Sequence, residues 1–348
     1  MIPHNKEIHH LTGLRGMAAL IVFISHAANK GYLPGYLGNG FGQIGLMIFF
    51  ILSGFLMGHL YLDRACNSYN IGHYALARIG RIFPLYLALV VISFVISNYF
   101  FEEFFYNYRE PKAFLLALFF VTSPYALWTI PVEVQFYVIF VVFWWLYQTE
   151  GRGWKFWIFG FLVCIPTVIY SIFHYKIIGN NSKVLFSFFI GVSTSLIYRK
   201  IKQTKRLRKI ADFAGLPLLI LLLVNLPQFR KYFGLYWSPS MYFRTWLDPV
   251  TWGLVYGIFW CALLQSTSLN FLNWRLLAFF GGISYGFYLF HSPILEHVMP
   301  TPGSPIAKLI FVFLATMLLS FLSLKLYEIP LGSYIRTWSL MRTPQVRK

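Results

Sequence analysis

A few ionisable side chains stand inside the long apolar stretches of this sequence, where an unpartnered charge is costly. Arg15, His26, Glu133 and His291 lie well within such stretches. Imidazole takes up and releases a proton near neutral pH, a carboxylate can orient an imidazole, and a guanidinium binds phosphate. Side chains of these types within a membrane predict either proton transfer to and from a bound substrate or proton-coupled transport.

Arg15 and His26 belong to one apolar stretch and are eleven positions apart. At about 100° per residue, eleven steps of an α-helix end about 20° beyond three full turns, so both side chains lie on one face. At about 1.5 Å per residue, they stand about 16 Å apart along the axis. The spacing predicts a cationic site near one end of the helix and a titratable site near the other. Glu133 and His291, on two other stretches, are expected at a depth similar to that of His26.

The composition is typical of an integral membrane protein. Hydrophobic residues make up 58% of the chain and charged residues 11%, and the mean hydropathy is +0.62, which excludes an ordinary soluble globular domain. The formal net charge of +18 would suit a nucleic-acid partner in a soluble protein. Here most of the basic residues stand in short loops between apolar runs, and this distribution sets the orientation of a membrane protein. We therefore expect no nucleic-acid binding.

Ten apolar stretches are long enough to cross a hydrocarbon core of about 30 Å. They predict an all-α integral membrane protein, with a single bundle of about ten transmembrane helices in one domain over residues 1–348. The Phe- and Leu-rich piece at 113–121 is too short to cross alone and is expected to be re-entrant or interfacial. The predicted spans lie near 11–29, 40–61, 80–101, 128–148, 154–174, 183–199, 211–227, 247–266, 279–298 and 305–327.

Loop charges predict the orientation, because Lys and Arg favour the cytoplasmic side of a membrane. The densest basic run, residues 199–209, falls between two predicted spans, whereas the loop that holds Glu102, Glu103 and Glu110 is acidic. An even number of spans with cytoplasmic N- and C-termini accounts for this distribution. The basic run is expected to anchor the chain on anionic lipid headgroups, or else to collect an anionic cofactor.

The three cysteines, Cys66, Cys164 and Cys261, do not have the spacing of a zinc site. Two of them fall inside apolar stretches, where Cys acts as a small buried apolar residue. The sequence therefore predicts neither a metal site nor a disulfide.

Six segments, in order along the chain, resemble the acyltransferase-3 family of bacterial membrane acyltransferases. One apolar, aromatic-rich string arises by chance in many membrane proteins, but six at compatible spacing over nearly the whole chain form a specific pattern. Two positions depart from that pattern: Pro131, where a small or polar residue is more usual, and Phe290, which replaces a frequent Trp. The segments are HHLTGLRGMAALIVFISHA (9–27) with its Arg-x10-His pair, GQIGLMIFFILSGFLM (42–57), RIGRIFPLY (78–86) with its RxxR element, WTIPVEVQFYVIF (128–140), ISYGFYLFHSPI (283–294) and YEIP (327–330).

The resemblance implies transfer of an acyl group, usually acetyl from acetyl-coenzyme A, to a hydroxyl of a cell-surface or lipid-linked carbohydrate. It also implies a multi-pass protein of the bacterial cytoplasmic membrane that binds its donor as a substrate and holds no permanent cofactor. Many members carry a fused extracytoplasmic esterase-like domain. These 348 residues contain none, so we expect the chain to deliver the acyl group itself or to hand it to another protein.

Basic residues are expected to bind the donor. Arg78 and Arg81 are three positions apart and share a helix face, so they can fork onto phosphate oxygens of acyl-coenzyme A at the cytoplasmic end of the third span. Ordinary positive-inside anchors would show the same pair. Arg15 stands deeper and is expected to meet the pyrophosphate or the pantetheine arm.

His26 is expected to act as the general base that deprotonates the acceptor hydroxyl, with Glu133 orienting its imidazole. A covalent acyl-histidine or acyl-serine intermediate stays open, with Ser53 as the serine candidate. His291 is expected to support the site or to serve as a hydrogen-bond partner between helices. The candidates for contacts with the sugar or the donor arm, or for simple packing, are Trp128, Tyr137, Tyr285 and Tyr288.

A proton-coupled transporter of an anionic or lipid-linked solute is the alternative, because it would also need Arg, His and Glu within the membrane. No inverted repeat of the kind common in transporters is evident, and the six family-like segments favour the enzyme. The loop at 226–248, rich in Tyr, Trp and Pro, is expected to influence the choice of acceptor.

Overall fold

The structure is a computed structural model that describes residues 9–38, 40–102, 104–149, 154–173, 181–201, 204–226, 230 and 245–341. These residues are mostly helical and contain no strand, which confirms the predicted all-α class. The helices are α1 (His9–Asn29), α2 (Phe41–Tyr61), α3 (Ser68–Tyr99), α4 (Pro111–Leu118), α5 (Thr129–Thr149), α6 (Trp154–Phe173), α7 (Asn181–Lys200), α8 (Lys205–Val224), α9 (Pro249–Leu263), α10 (Arg275–Val298), α11 (Pro305–Ser323) and α12 (Ile329–Met341).

Each predicted span overlaps one of these helices, but fewer than ten qualify as spans by their own length and composition. Within the described ranges, five helical segments are long and apolar enough to cross a membrane, or up to six if a helix pair bent by 80° counts as one span. The chain is therefore a multi-pass membrane protein. The five segments are His9–Asn29, Gly35–Tyr61, Ser68–Tyr99, Tyr125–Gln148 and Pro305–Thr337, and the bent pair is Pro249–Leu263 with Thr267–Asn273.

Helix α3 begins well before the predicted third span. Asn67 caps it, because its side-chain oxygen accepts a hydrogen bond from the backbone N–H of Asn70 at 2.9 Å. The first turns contain Asn, His and Arg, which lower the local hydropathy. The apolar stretch that predicts the third span therefore begins later than the helix. Arg78 and Arg81 consequently lie about three turns inside the helix. Their position at the cytoplasmic end of the third membrane span stays a prediction.

The segment predicted as re-entrant or interfacial, 113–121, overlaps helix α4, whose eight residues are too few to cross a membrane. Buried hydroxyls hold the surrounding chain against α3. Ser123 Oγ lies 2.6 Å from the hydroxyl of Tyr108 and 3.3 Å from that of Tyr86 in α3. Gln135 in α5 donates to the carbonyls of Phe120 and Val121 at 2.9 and 3.0 Å. These bonds fix the chain that leads into the start of α5.

The Cα positions group into two compact units. Unit 1 comprises residues 1–52 and 197–315, and unit 2 comprises residues 53–196 and 316–348. The principal packing in unit 1 is that of α1 on α10 and of α8 on α9, and in unit 2 it is that of α3 on α12. Each unit contains some of the side chains singled out from the sequence.

Two glycines bring α1 and α10 of unit 1 into backbone contact. Gly16 lies opposite Leu277 and Gly281, and a Cβ added to Gly281 would overlap the carbonyl oxygen of Thr12. The contact continues about ten residues further along both helices, so the two helices run parallel. Only residues without a side chain allow so close an approach, which is a recurrent way to pack membrane helices.

Unit 2 has a comparable crossing between α3 and α12. Gly80 faces Gly332, and the hydroxyl of Tyr327 donates to the carbonyl of Pro84 at 3.3 Å. Between α11 and α12 the helix widens into a π-helical turn, Leu324–Glu328. This turn comes just before Pro330, which lacks the N–H that a regular α-helix would use.

Candidate active site

Two histidines meet in unit 1, one from α1 and one from α10. His26 Nδ1 lies 2.9 Å from His291 Nε2. The hydroxyl of Ser292 stands beside both rings, 3.2 Å from His26 Nδ1 and 3.1 Å from His291 Nε2. His291 Nδ1 lies 3.1 Å from the backbone carbonyl of Phe287, one turn earlier in α10. The two imidazoles and the hydroxyl therefore form one hydrogen-bonded cluster.

The parallel packing of α1 and α10 explains why these side chains meet. Gly16 precedes His26 by as many positions as Gly281 precedes His291. Two parallel helices that are in contact at these glycines therefore bring the two histidines to the same level. The contact therefore depends on the backbone approach as well as on the imidazoles themselves.

The two histidines differ in their exposure. His291 is buried, with 1% of its surface exposed, whereas His26 is partly exposed. Aromatic rings surround the buried member: the ring centroids of Phe23 and Tyr288 lie 6.3 and 5.7 Å from that of His291. One imidazole is thus partly exposed, and the other is buried beside it. One turn beyond His26, Lys30 forms an ion pair with Glu296 across the same two helices.

Glu133 belongs to unit 2, where two hydroxyls bind its carboxylate. Glu133 Oε1 accepts hydrogen bonds from Ser53 in α2 at 2.9 Å and from Tyr137 in α5 at 2.7 Å. Charge-assisted bonds of this kind are stronger than bonds between neutral groups. The structure therefore brings together Ser53 and Glu133, which the sequence placed on different helices. The predicted role of Glu133 in orienting His26 stays a prediction.

Arg78 lies among aromatic rings of unit 2. Its guanidinium carbon is 5.8 Å from the ring centroid of Tyr61 and 5.9 Å from that of Tyr137, distances at which a cation is attracted to a ring face. Arg78 Nε is buried and has no hydrogen-bond partner among the described residues. Tyr74 supports this arrangement, because its hydroxyl donates to the carbonyl of Tyr137 at 3.0 Å. The result is a partly buried cation that is held in place and retains an unused donor.

Arg81 and Arg78 have different surroundings. Arg81 is exposed, and its charge acts electrostatically on Glu328 in the π-helical turn. The RxxR element thus provides one arginine held by aromatic rings and one that is accessible. Arg15 lies in α1 of unit 1 and is partly exposed.

The remaining predicted residues are found in different settings. Trp128 ends a short 3-10 turn before α5 and is partly exposed, and Tyr288 is buried beside His291. Pro131 lies in the first turn of α5, where its missing N–H costs no hydrogen bond within the helix. In the loop at 226–248, residues 227–229 and 231–244 lie outside the described residues.

Three contributors to these clusters were missed from the sequence. Ser292 follows His291 directly and could have been suspected from that position alone. Tyr74 precedes Arg78 by four positions in α3, so helical periodicity alone places the two on one face. Tyr61 carries no such signal, because its relation to Arg78 depends on how α2 and α3 pack.

The cysteines do not offer a ready nucleophile. All three are free thiols, and Cys164 and Cys261 are buried. Cys66 lies in the loop between α2 and α3, where burial raises the pKa of its thiol. A thiol with a raised pKa is less often in its reactive thiolate form.

Ionisable side chains that meet inside a multi-pass helical chain mark a candidate functional site. The family of this chain is shown by comparison with known proteins. A family model described as an acyltransferase domain, Acyltransferase 3, matches residues 8–325. The chain therefore belongs to this acyltransferase family, as the six sequence segments predict.

Relatives from two bacteria are similar to this chain. It is 26% identical over 372 residues to the "Putative peptidoglycan O-acetyltransferase YrhL" of Bacillus subtilis (strain 168), covering 94% of this chain and 55% of that relative. It is 23% identical over 365 residues to the O-acetyltransferase OatA of Staphylococcus aureus (strain NCTC 8325 / PS 47), covering 92% of this chain and 56% of that relative. The chain thus spans about half the length of the curated relatives it matches. No solved structure matches it.

Proposed function

We propose that this protein is a membrane O-acyltransferase that moves an acetyl group from acetyl-coenzyme A to a hydroxyl of a bacterial cell-surface or lipid-linked glycan. Its membership of an acyltransferase family supports the reaction class. The names of two relatives, a peptidoglycan O-acetyltransferase and OatA, support acetyl as the group and a glycan as the acceptor.

The pairing of His26 with His291 is the observation that carries the proposal. The reaction needs a group that removes a proton from a hydroxyl, and a partly exposed imidazole backed by a second one suits that task. His26 accepts the hydroxyl proton as the acceptor oxygen forms a bond to the thioester carbonyl carbon. The carbon–sulfur bond then breaks, and the leaving thiolate takes the proton from the imidazolium. The products are the O-acetylated glycan and coenzyme A with a free thiol.

The arginines bind the donor in this proposal. Coenzyme A carries phosphates, and guanidinium groups bind phosphate through paired hydrogen bonds. Arg78 retains a buried Nε donor without a partner in the described part of the chain, and Arg81 is exposed. We assign Arg15 to the donor on its charge and its place in α1. Acetyl-coenzyme A is a substrate here, and no permanent cofactor is required.

The topology belongs to the same proposal. Ten spans with both termini in the cytoplasm of a bacterial inner membrane bring the donor from the cytoplasm and the glycan from the outer side. Every predicted span overlaps a helix, and the basic run at 199–209 suits the cytoplasmic surface.

An acyl-serine route is a second candidate mechanism for the same reaction. Ser53 donates to Glu133 at 2.9 Å, so the carboxylate is placed to take the serine proton. Incubation at low temperature with acetyl-coenzyme A and no acceptor separates the two routes, because only a covalent intermediate would leave acetyl on the protein. The direct route predicts no protein-bound acetyl group, whereas the serine route predicts one that the Ser53→Ala variant lacks.

A transport function is less favoured, because the family model and both relatives describe acyltransferases. Both functions would use intramembrane Arg, His and Glu, so turnover is what separates them. A transporter would move its solute without releasing free thiol from acetyl-coenzyme A.

Acetyl transfer by the purified full chain tests the proposed function. The protein in detergent would be incubated with acetyl-coenzyme A and glycan acceptors, including peptidoglycan fragments. Free-thiol release and the mass gain of the acceptor would be followed. We expect His26→Ala to lower turnover about 10²- to 10⁴-fold, the range that general-base catalysis contributes. The matched control is His297→Ala, because His297 is exposed near the end of α10 and should not affect turnover.

Two results would count against this function. Full turnover by a folded His26→Ala variant would exclude His26 as the base. A folded wild-type protein that releases no thiol from any acyl-coenzyme A with any of these acceptors would favour the transporter.

A further inference from the structure

We infer that His291, together with Ser292, is a positioning residue that fixes the tautomer of His26, with the proton on Nδ1 and the lone pair on Nε2. The inference rests on the proposed role of His26 as the base. Beyond that role, the inference specifies which nitrogen of His26 accepts the hydroxyl proton and which residues determine that choice.

The backbone carbonyl of Phe287 determines the state of His291. A carbonyl oxygen can only accept, so His291 Nδ1, at 3.1 Å, must be the donor. A neutral imidazole has one N–H, so His291 Nε2 then carries a lone pair. The neutral form is expected because this buried ring bonds to His26, to Ser292 and to the backbone of Phe287 and Tyr288, none of which is anionic.

The lone pair on His291 determines the state of His26 in turn. His26 Nδ1 lies 2.9 Å from His291 Nε2, and two lone pairs at that distance would repel each other. His26 Nδ1 must therefore carry the proton and donate it. The hydroxyl of Ser292 is compatible with the same state, because it can accept a hydrogen bond from His26 Nδ1.

His26 Nε2 is consequently the nitrogen with a free lone pair. Both hydrogen bonds that His26 makes within the described residues go to Nδ1, and the side chain is partly exposed. A hydroxyl that approaches Nε2 meets a base whose other nitrogen is already bonded. When Nε2 takes the proton, Nδ1 keeps its hydrogen bond, so the ring does not have to turn during the reaction.

Nitrogen NMR tests the tautomer without relying on activity. The full chain labelled with 15N-histidine would be examined above the pH at which its histidines titrate, and His26 would be assigned by the signal lost in His26→Gln. We expect the Nδ1 shift of His26 to be that of a protonated nitrogen and the Nε2 shift that of an unprotonated one. The reverse assignment, or a mixture such as free histidine shows in water, would overturn the inference.

A pair of variants tests the same inference through turnover. His291→Gln keeps an amide oxygen able to accept from His26, whereas His291→Leu is similar in size and accepts nothing. We expect the Leu variant to lose about 10- to 100-fold in kcat, as second-shell replacements of ligand histidines do, and the Gln variant to lose clearly less. KM for acetyl-coenzyme A should stay unchanged in both, and thermal unfolding would show that both are folded.

The outcomes separate this inference from the proposed function. Wild-type kcat in a folded His291→Leu variant, alongside an inactive His26→Ala, would overturn the positioning role and leave His26 as the base. Equal losses in the Gln and Leu variants would also overturn it, because the acceptor would then be irrelevant. Full activity of His26→Ala would instead contradict the proposed function.

Discussion

The histidine cluster of unit 1 and the arginine cluster of unit 2 hold their side chains in different ways. His26 and His291 are placed by two parallel helices whose backbones touch at Gly16 and Gly281. Arg78 is placed by the aromatic rings of Tyr61 and Tyr137. The first cluster depends on a close helix crossing, and the second depends on ring faces that hold a cation.

This difference suits the different chemical roles that we propose for the two clusters. Proton transfer between nitrogen and oxygen needs a hydrogen-bond distance, and a small error in helix spacing abolishes it. The phosphates of coenzyme A carry several negative charges, and a cation attracts them over a longer distance than a proton transfer allows. The histidine cluster should therefore be sensitive to helix spacing, whereas the arginine cluster should be sensitive to charge.

The largest effect is expected from Gly281→Ala. A Cβ at this position would overlap the carbonyl oxygen of Thr12, and a backbone atom cannot move aside as a flexible side chain can. Overpacking of this kind costs about 1–3 kcal/mol, and relief by separation of α1 and α10 would part the two imidazoles. We expect a lower midpoint of thermal unfolding and a loss of turnover about as large as that of His26→Ala.

Gly282→Ala provides the control, because a Cβ there meets no atom within 4 Å. In a helix, Ala is more favourable than Gly by about 1 kcal/mol, so this variant should be at least as stable as the wild type and equally active. If Gly281→Ala behaved like Gly282→Ala in both measurements, the close crossing would not be what places the histidines.

A smaller effect is expected from Glu133→Gln. The amide keeps an oxygen that can accept from Ser53 and Tyr137, but it removes the negative charge beside the arginine cluster. We expect kcat to fall about 10-fold or more with little change in thermal stability. Glu102→Gln is the matched control, since Glu102 is exposed and forms a surface ion pair with Arg109. Equal kcat in both variants would remove Glu133 from the mechanism.

Much of the fold could be predicted from hydropathy and helical periodicity. Each predicted span overlaps a helix, and α1 begins and ends within two residues of the predicted bounds 11–29. The start of α3 was missed, because the residues that follow the cap Asn67 are polar, and hydropathy does not indicate a helix there. The number of membrane spans stays a prediction, because several of the helices are too short or too polar to qualify alone.

The site could be predicted only in part. Periodicity within one helix relates Arg15 to His26, but it gives no azimuth between helices. The contact of His26 with His291 depends on the parallel register of α1 and α10, which the glycines make possible. The bond from Ser53 to Glu133 likewise depends on the packing of α2 and α5. The sequence therefore identified the reactive residue types better than it identified their partners.

Donor affinity tests the central claim most directly, namely that the arginine cluster binds acetyl-coenzyme A and the histidine cluster transfers the proton. The dissociation constant of acetyl-coenzyme A would be measured by calorimetry for the full chain as wild type, His26→Ala and Arg78→Ala. Arg275→Ala, at the exposed start of α10, would serve as a control for lost positive charge. We predict near wild-type affinity for His26→Ala and Arg275→Ala, and binding about 10- to 100-fold weaker for Arg78→Ala, since a lost charged hydrogen bond costs about 1.5–3 kcal/mol. Unchanged binding in Arg78→Ala, or an equal loss in His26→Ala, would contradict this division of roles.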